Sequence, residues 1–136
     1  MPLDIEAVAK AVKQVESSGG KDTRSRYEPG FERRYSRKWL REGDAAFRQA
    51  MLTQFGPKAV YASHGAYQIM YPVAVELGFR GTPAQLAEEA TNRQFFEKKF
   101  KRDYQTTGGD LSKTLLRYNG GADPTYPKRV LRCLKS

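Results

Sequence analysis

Glu16 is the residue whose type and position could most directly do chemistry. Four hydrophobic residues precede it at spacings of three and four, which predicts an amphipathic helix: Ile5, Val8, Val12 and Val15. At about 100° per residue, Glu16 falls roughly 60° from the centre of that stripe, at the edge of the buried face. Partial burial and the negative end of the helix dipole both favour the protonated carboxyl group. Such a group can act as a general acid near neutral pH. The alternative that position alone leaves open is a solvated glutamate at a fraying helix end.

Helical spacing also predicts the elements that must position this carboxyl group. Asp4 is placed to cap the first helix, which Ser17-Ser18-Gly19-Gly20 ends. Further helices are predicted from Asp44 to Phe55, from Pro72 to Leu77, from the Thr82–Gln85 capping box onward to Gly108, from Asp110 through Leu116, and around Val130 to Leu134. Residues 21–43 are basic and irregular, and we expect a long loop with short helical pieces. Since no segment alternates apolar and polar residues over the length of a strand, the predicted fold class is mostly α, in one domain over residues 1–136.

Composition limits the partners and the cofactors. The chain has 136 residues, a net charge of +9 and one cysteine, Cys133. The charge favours polyanions or anionic surfaces as partners. One thiol excludes an internal disulfide framework and a cysteine metal cage, so we expect no metal and no cofactor. The first residues are acidic where a signal peptide is basic, and no apolar run approaches the roughly 18 residues that span a bilayer, so we expect neither a leader nor a transmembrane segment.

The segments Glu16–Gly20, Ser63–Met70 and Leu115–Gly121, in this order along the chain, resemble three blocks of lytic transglycosylases and goose-type lysozymes. Glu16-Ser17-Ser18-Gly19-Gly20 is similar to the catalytic glutamate motif that closes the first helix of that family. The segment Ser63–Met70 resembles its second block, which leads into Gln-Ile-Met, and Leu115–Gly121 resembles its Tyr-Asn-x-Gly signature. Tyr126–Val130 is similar to the segment that follows. The resemblance covers the length of the chain and implies a lysozyme-like helical fold with a cleft.

Two features depart from the commonest family pattern. Tyr67 alone separates Ala66 from Gln68 where many members have Gly-Leu-Met, and residues 21–43 form a basic insertion after the glutamate. This insertion, the small size and the missing leader look more like phage-encoded members than like large periplasmic enzymes.

The resemblance implies the substrate and the mechanism. The substrate would be the β-1,4 bond between N-acetylmuramic acid and N-acetylglucosamine in peptidoglycan. Glu16 would protonate the glycosidic oxygen and then act as base on the C6 hydroxyl of the muramoyl sugar, which leaves a 1,6-anhydro end. The neighbouring N-acetyl group would stabilise the cationic centre, so a second carboxylate is not obligatory.

Five further positions are implied to bind the substrate. Ser63 and Gln68 would hydrogen-bond the substrate or orient the acid, Met70 would line the cleft, and Tyr118 and Asn119 would stabilise the acid and the N-acetyl group. Each except Gln68 also has a structural explanation. Ser63 could cap a turn, Met70 and Tyr118 could be core residues, and Asn119 could simply belong to a turn.

Hydrolysis of the same bond by a muramidase is the alternative activity. Such an enzyme needs a second carboxylate at a defined separation from the first. Glu28 and Asp22 are the candidates, and Glu28 is preferred because it lies between Tyr27 and Pro29 in a predicted turn. His64, the only histidine, is expected to lie in a surface loop rather than to act in acid–base chemistry.

A small basic nucleic-acid-binding protein is the alternative from another class. The arginines and aromatic residues of 24–41 and the cluster Lys98-Lys99-Lys101-Arg102 could contact phosphates and bases. However, no nucleic-acid-binding fingerprint is present, and the cations are spread over at least three segments. We therefore expect no specific nucleic-acid partner. The expected partners are peptidoglycan strands and anionic envelope polymers. We expect the protein to be a monomer that is made in the cytoplasm and acts on the cell wall, either as part of a virion or after release at lysis.

Overall fold

Helix α1 (Ile5–Ser17) carries the candidate acid at its carboxyl end. The computed structural model describes residues 3–135. The Asp4 side chain accepts a hydrogen bond from the Ala7 amide at 3.1 Å, which confirms the predicted cap. Ser18 takes the left-handed conformation (φ 52°), and its amide bonds to the Gln14 carbonyl. The helix thus ends directly after Glu16, as the serine and glycine run predicts.

Helices account for most of the remaining residues, with one small sheet between them. In chain order the elements are β1 (Arg26–Tyr27), α2 (Pro29–Arg41), α3 (Ala45–Phe55), α4 (Pro57–Val60), β2 (Ala62–His64), β3 (Ile69–Met70), α5 (Tyr71–Glu76), α6 (Pro83–Leu86), α7 (Glu89–Thr106), α8 (Leu111–Tyr118) and α9 (Tyr126–Leu134). The mostly α fold class is confirmed. Across residues 3–135, no helix is both long and apolar enough to cross a membrane.

The basic segment 21–43 is largely a helix, so the expected long loop is wrong. Pro29 occupies the first turn of α2, where its fixed φ and missing amide favour initiation. Phe31, Tyr35 and Trp39 then recur every four residues along one face, and the rings of Phe31 and Tyr35 lie 5.1 Å apart. Trp39 is buried, and its indole N–H donates to the Pro72 carbonyl at 3.1 Å. An aromatic stripe therefore anchors a helix whose other faces are cationic.

The three short strands form an antiparallel sheet in the order β1-β2-β3. The expectation that no strands are present is therefore wrong, because strands of two or three residues are too short to show alternation. A tight turn joins β2 to β3, and Asn92 of α7 holds it. The Asn92 amide group donates to the carbonyls of His64 (2.7 Å) and Leu86 (2.9 Å) and accepts from the Tyr67 amide (2.8 Å). A Cβ at Gly65 would lie 2.4 Å from the Asn92 amide nitrogen, so only glycine fits there.

The long helix predicted from the capping box to Gly108 is instead two helices. The capping box at Thr82 and Gln85 is present, but α6 lasts only one turn. Glu88 adopts an extended conformation (ψ 135°) and starts α7. The Leu86 carbonyl accepts a hydrogen bond from the Asn92 side chain instead of from a backbone amide of a continuing helix.

The core lies where α7, α8, α9 and α1 pack against one another. Rings stack along α7, with Tyr67 4.8 Å from Phe96 and Phe96 5.7 Å from Phe100. Tyr118 and Tyr126 stack at 6.4 Å beside them. This aromatic core fixes the carboxyl ends of α1 and α8 relative to each other.

Candidate active site

A cleft of about 600 Å³ is lined by the candidate acid, by the preferred second carboxylate and by all five candidate substrate-binding residues. Its lining includes Glu16, Glu28, Ser63, Gln68, Met70, Tyr118 and Asn119. These side chains come from the end of α1, the start of α2, the β2–β3 hairpin and the end of α8. The three sequence blocks therefore meet at one place, although they are far apart along the chain.

Ser17 ties the end of α1 to the hairpin. Its buried hydroxyl donates to the Ala66 carbonyl at 2.7 Å and accepts from the Gly20 amide at 3.0 Å. Because Ser17 follows Glu16 directly, these bonds fix the acid beside the β2–β3 turn. The serine of the first block thus has a positional role.

The Glu16 carboxyl group is half-buried and held on one side only. Its Oε2 accepts a hydrogen bond from the Tyr126 hydroxyl at 2.9 Å. Its Oε1 has no hydrogen-bond partner among residues 3–135, so this oxygen is available for a hydrogen bond with a ligand in the cleft. The Arg26 guanidinium donates to the backbone carbonyl of Glu16 at 3.2 Å and completes the end of the helix.

Burial raises the pKa of Glu16 above its ordinary value. The Tyr126 hydroxyl and the cations of Lys99, Arg26 and Arg129 act in the opposite direction, but desolvation outweighs them. The direction agrees with the expectation from the helix face. A carboxyl group in this setting holds its proton to a higher pH than a solvated glutamate, as a general acid must.

Lys99 lies in the same cleft, and sequence reasoning missed it. Its side chain is only 8% exposed, and its Nζ donates to the Tyr118 carbonyl at 2.6 Å and lies 3.9 Å from the centre of the Tyr118 ring. Burial lowers the pKa of Lys99 to about 8, while the charges of Asp103 and Glu16 act to raise it. The spacing held a signal, because Lys99 shares a helix face with Phe96 and Asp103 (i−3 and i+4) rather than with its exposed basic neighbours.

Tyr126 is the second residue that the sequence left without a role. It begins α9 and is buried, and burial together with Glu16 raises the pKa of its hydroxyl. The tyrosine therefore stays a hydrogen-bond donor to Glu16 at any physiological pH. No local pattern indicates a contact between residues 110 positions apart.

Ser63 and Gln68 are bonded to each other and to the hairpin. The Ser63 hydroxyl donates to Gln68 Oε1 at 2.8 Å, and Gln68 Nε2 donates to the carbonyls of Gly65 (2.9 Å) and Arg24 (3.1 Å). Gln68 itself takes a left-handed conformation with φ 49°. Both residues line the cleft, and within residues 3–135 neither contacts Glu16 by a hydrogen bond.

Tyr118, Asn119 and Met70 differ in what they can offer a ligand. The buried Tyr118 hydroxyl donates to the Tyr67 carbonyl at 2.9 Å, so it secures the core wall rather than contacting Glu16. Asn119 follows the last residue of α8 and is half-buried, and its side-chain amide has no hydrogen-bond partner among the described residues. Met70 adds apolar lining. Of these three residues, Asn119 is the one whose side chain keeps unused hydrogen-bonding groups at the cleft.

The two candidate second carboxylates, Glu28 and Asp22, lie in different surroundings. Glu28 precedes α2, is exposed and lines the cleft. Asp22 instead binds Arg24 through two hydrogen bonds (2.9 and 3.0 Å) and Arg26 at 3.4 Å, which lowers the pKa of Asp22 to about 2. Of the two, Glu28 is the one that reaches the cleft.

His64 is buried in β2, so its expected place in a surface loop is wrong. Its Nδ1 lies 2.6 Å from the Ser25 hydroxyl, and its Nε2 lies 2.8 Å from the Ala59 carbonyl. Burial lowers the pKa of His64. Both ring nitrogens are engaged, so the histidine braces the sheet.

Neither metal ligands nor recognised relatives identify this cleft. In the part of the chain that the structure describes, no three His, Cys, Asp or Glu side chains form a group that could hold a metal ion. Comparisons with protein-family models, curated proteins and solved structures give no significant match to the chain.

Proposed function

We propose that this protein is a peptidoglycan lytic transglycosylase with Glu16 as its acid and base. The observation that carries the proposal is a half-buried carboxyl group in a cleft, with a raised pKa and one oxygen that accepts no hydrogen bond from residues 3–135. The motif residues around it are those that resemble the family. A solvated surface glutamate would have neither the burial nor the tyrosine partner.

The reaction can be written with one carboxyl group. The Glu16 proton passes to the glycosidic oxygen as the bond from that oxygen to the anomeric carbon of the muramoyl sugar breaks. The C6 hydroxyl oxygen of the same sugar then bonds to the anomeric carbon, and its proton returns to Glu16. Water is not consumed, and the acid is regenerated.

The contacts of Glu16 support both steps of this reaction, proton donation and proton recovery. Burial favours the protonated form before bond cleavage, and the Tyr126 hydroxyl and the Lys99 ammonium stabilise the carboxylate formed afterwards. Asn119, whose side-chain amide forms no hydrogen bond within residues 3–135, would bind the N-acetyl group. The net charge of +9 would draw the enzyme to the anionic envelope.

Hydrolysis by a muramidase is the second candidate, and one observation favours it. Glu28 lines the same cleft as Glu16 and forms no hydrogen bond through its side chain to the described residues. In that reaction it would activate a water molecule, and the products would end in reducing sugars.

Muropeptide analysis of digested sacculi tests the proposal. The wild type should release products with 1,6-anhydro ends, each one water lighter than the hydrolytic products. Glu16→Gln keeps an oxygen for the Tyr126 hydroxyl but removes the acid, so cleavage should fall by about 10²–10⁴-fold. Glu88→Gln is the matched control, since Glu88 is exposed at the start of α7 and makes no capping bond with its side chain. Absence of cleavage by the folded wild type, or full cleavage by Glu16→Gln, would overturn the proposal.

A further inference from the structure

A second cavity, of about 500 Å³, adjoins the cleft and shares Arg102, Arg117 and Gly120 with it. We call it the arginine pocket. Its charged lining consists of three cations, Arg102, Lys113 and Arg117, and one carboxylate, Asp103. The excess of positive charge indicates an anionic ligand.

Asp103 holds the two arginines in place. It is only 1% exposed, and its Oδ1 lies 3.3 Å from both Arg102 Nη2 and Arg117 Nε. The arginine side chains themselves are 41% and 53% exposed. A buried carboxylate thus fixes two guanidinium groups that still face solvent, which lowers the entropy cost of binding a ligand.

Most of the donors of these cations are unused. Arg117 donates to Asp103 only through its Nε, and neither of its Nη groups forms a hydrogen bond with any of residues 3–135. Lys113 makes no side-chain hydrogen bond within the same range. Paired N–H groups in a fixed plane match the two oxygens of a carboxylate. A Cβ at Gly120 would meet nothing within 4 Å, so the rim next to these donors is open.

We propose that the arginine pocket binds the carboxylates of the peptide stem of peptidoglycan, an inference that rests on the proposed function. The stem is joined to the same muramoyl sugar whose glycosidic bond Glu16 would protonate. The stem would therefore start in the cleft that Glu16 lines, and the arginine pocket adjoins this cleft through Arg102, Arg117 and Gly120. Carboxylates along the stem have the charge that the three cations of the pocket, set against the one carboxylate of Asp103, would attract.

Two forms of the same sacculi test this subsite. Sacculi with native stems are compared with sacculi whose stem carboxylates have been converted to amides, which leaves the glycan unchanged. For the wild type, kcat/KM should fall about tenfold on amidation, the loss expected for a charge-assisted contact. Arg117→Gln should remove most of this discrimination. Arg37→Gln, an exposed charge change on α2 outside both cavities, should discriminate as the wild type does.

The outcomes separate the two proposals. Equal wild-type rates on both substrates, or full discrimination by Arg117→Gln, would overturn the stem subsite and leave the proposed function standing. Failure of the folded wild type to cleave either form would overturn both. If Arg117→Gln does not fold, Lys113→Gln serves instead and should reduce the discrimination in the same direction. Inhibition by inorganic phosphate as strong as by a soluble stem peptide would show a general oxyanion site and overturn the assignment to the stem.

Discussion

Replacing Asn92 with alanine tests how the hairpin of the candidate site is held. Asn92 is fully buried and makes three hydrogen bonds, to the carbonyls of His64 and Leu86 and from the amide of Tyr67. Its removal leaves three buried backbone groups without partners. At about 1 kcal/mol each, the free energy of unfolding should fall by about 3 kcal/mol. For a chain of this length, that loss lowers the melting temperature by about 10 °C.

Thermal unfolding followed by circular dichroism measures the effect. Gln94→Ala is the matched control, because Gln94 carries the same amide on the exposed face of the same helix. Its free energy of unfolding should change by no more than about 0.5 kcal/mol. A melting temperature for Asn92→Ala within about 3 °C of the wild type would refute the reasoning, because it would mean that the three backbone groups find other partners.

Four further predictions concern the acid and its surroundings. Tyr126→Phe removes the hydroxyl that lowers the pKa of Glu16, so the basic limb of kcat/KM should move to higher pH in a pH–rate profile; an unmoved limb would contradict the contact. Glu16→Gln should gain stability relative to the wild type as the pH rises from the ordinary pKa of a glutamate through the raised pKa of Glu16, because only the wild type loses stability as its half-buried carboxyl group deprotonates; denaturant unfolding at a series of pH values measures the difference. Glu28→Gln should still give 1,6-anhydro products by mass spectrometry, whereas their loss would favour the muramidase. Wild-type activity on sacculi should fall as salt rises from low to high ionic strength, and a flat response would mean that the net charge of +9 has no part in targeting.

Local chemistry explains which parts of the fold could be predicted. The caps at Asp4 and Asp110 each accept a hydrogen bond from an amide three residues on, so their effect can be predicted from adjacent residues. Helix α2 was missed because dense arginines obscured an aromatic stripe whose spacing of four was already present. The sheet was missed for a different reason, since its pairing of residues 26–27 with residues 62–63 depends on tertiary contacts.

The residues of the candidate site also differ in how far the sequence predicts them. Residues that belong to a short sequence motif, such as Glu16 and Asn119, could be proposed as site residues from the sequence. Tyr126 could not, because its contact with Glu16 depends on where α9 lies against α1. The spacing of Lys99 indicates a buried face of α7, but its place in the cleft depends on how α7 packs. His64 shows the reverse error, since a polar residue between glycine and serine suggests a loop but lies buried in a strand.

The charge states of the buried Lys99 and the half-buried Glu16 depend on each other. Burial alone would favour neutral forms of both Glu16 and Lys99, and each offsets part of that effect on the other. In the proposed reaction, the attraction between the two charges would appear when Glu16 gives up its proton and becomes a carboxylate. It would disappear when the C6 hydroxyl gives a proton back. A lysine fixed by the Tyr118 carbonyl therefore favours proton donation without holding Glu16 permanently ionised, which is what a single residue acting first as acid and then as base requires.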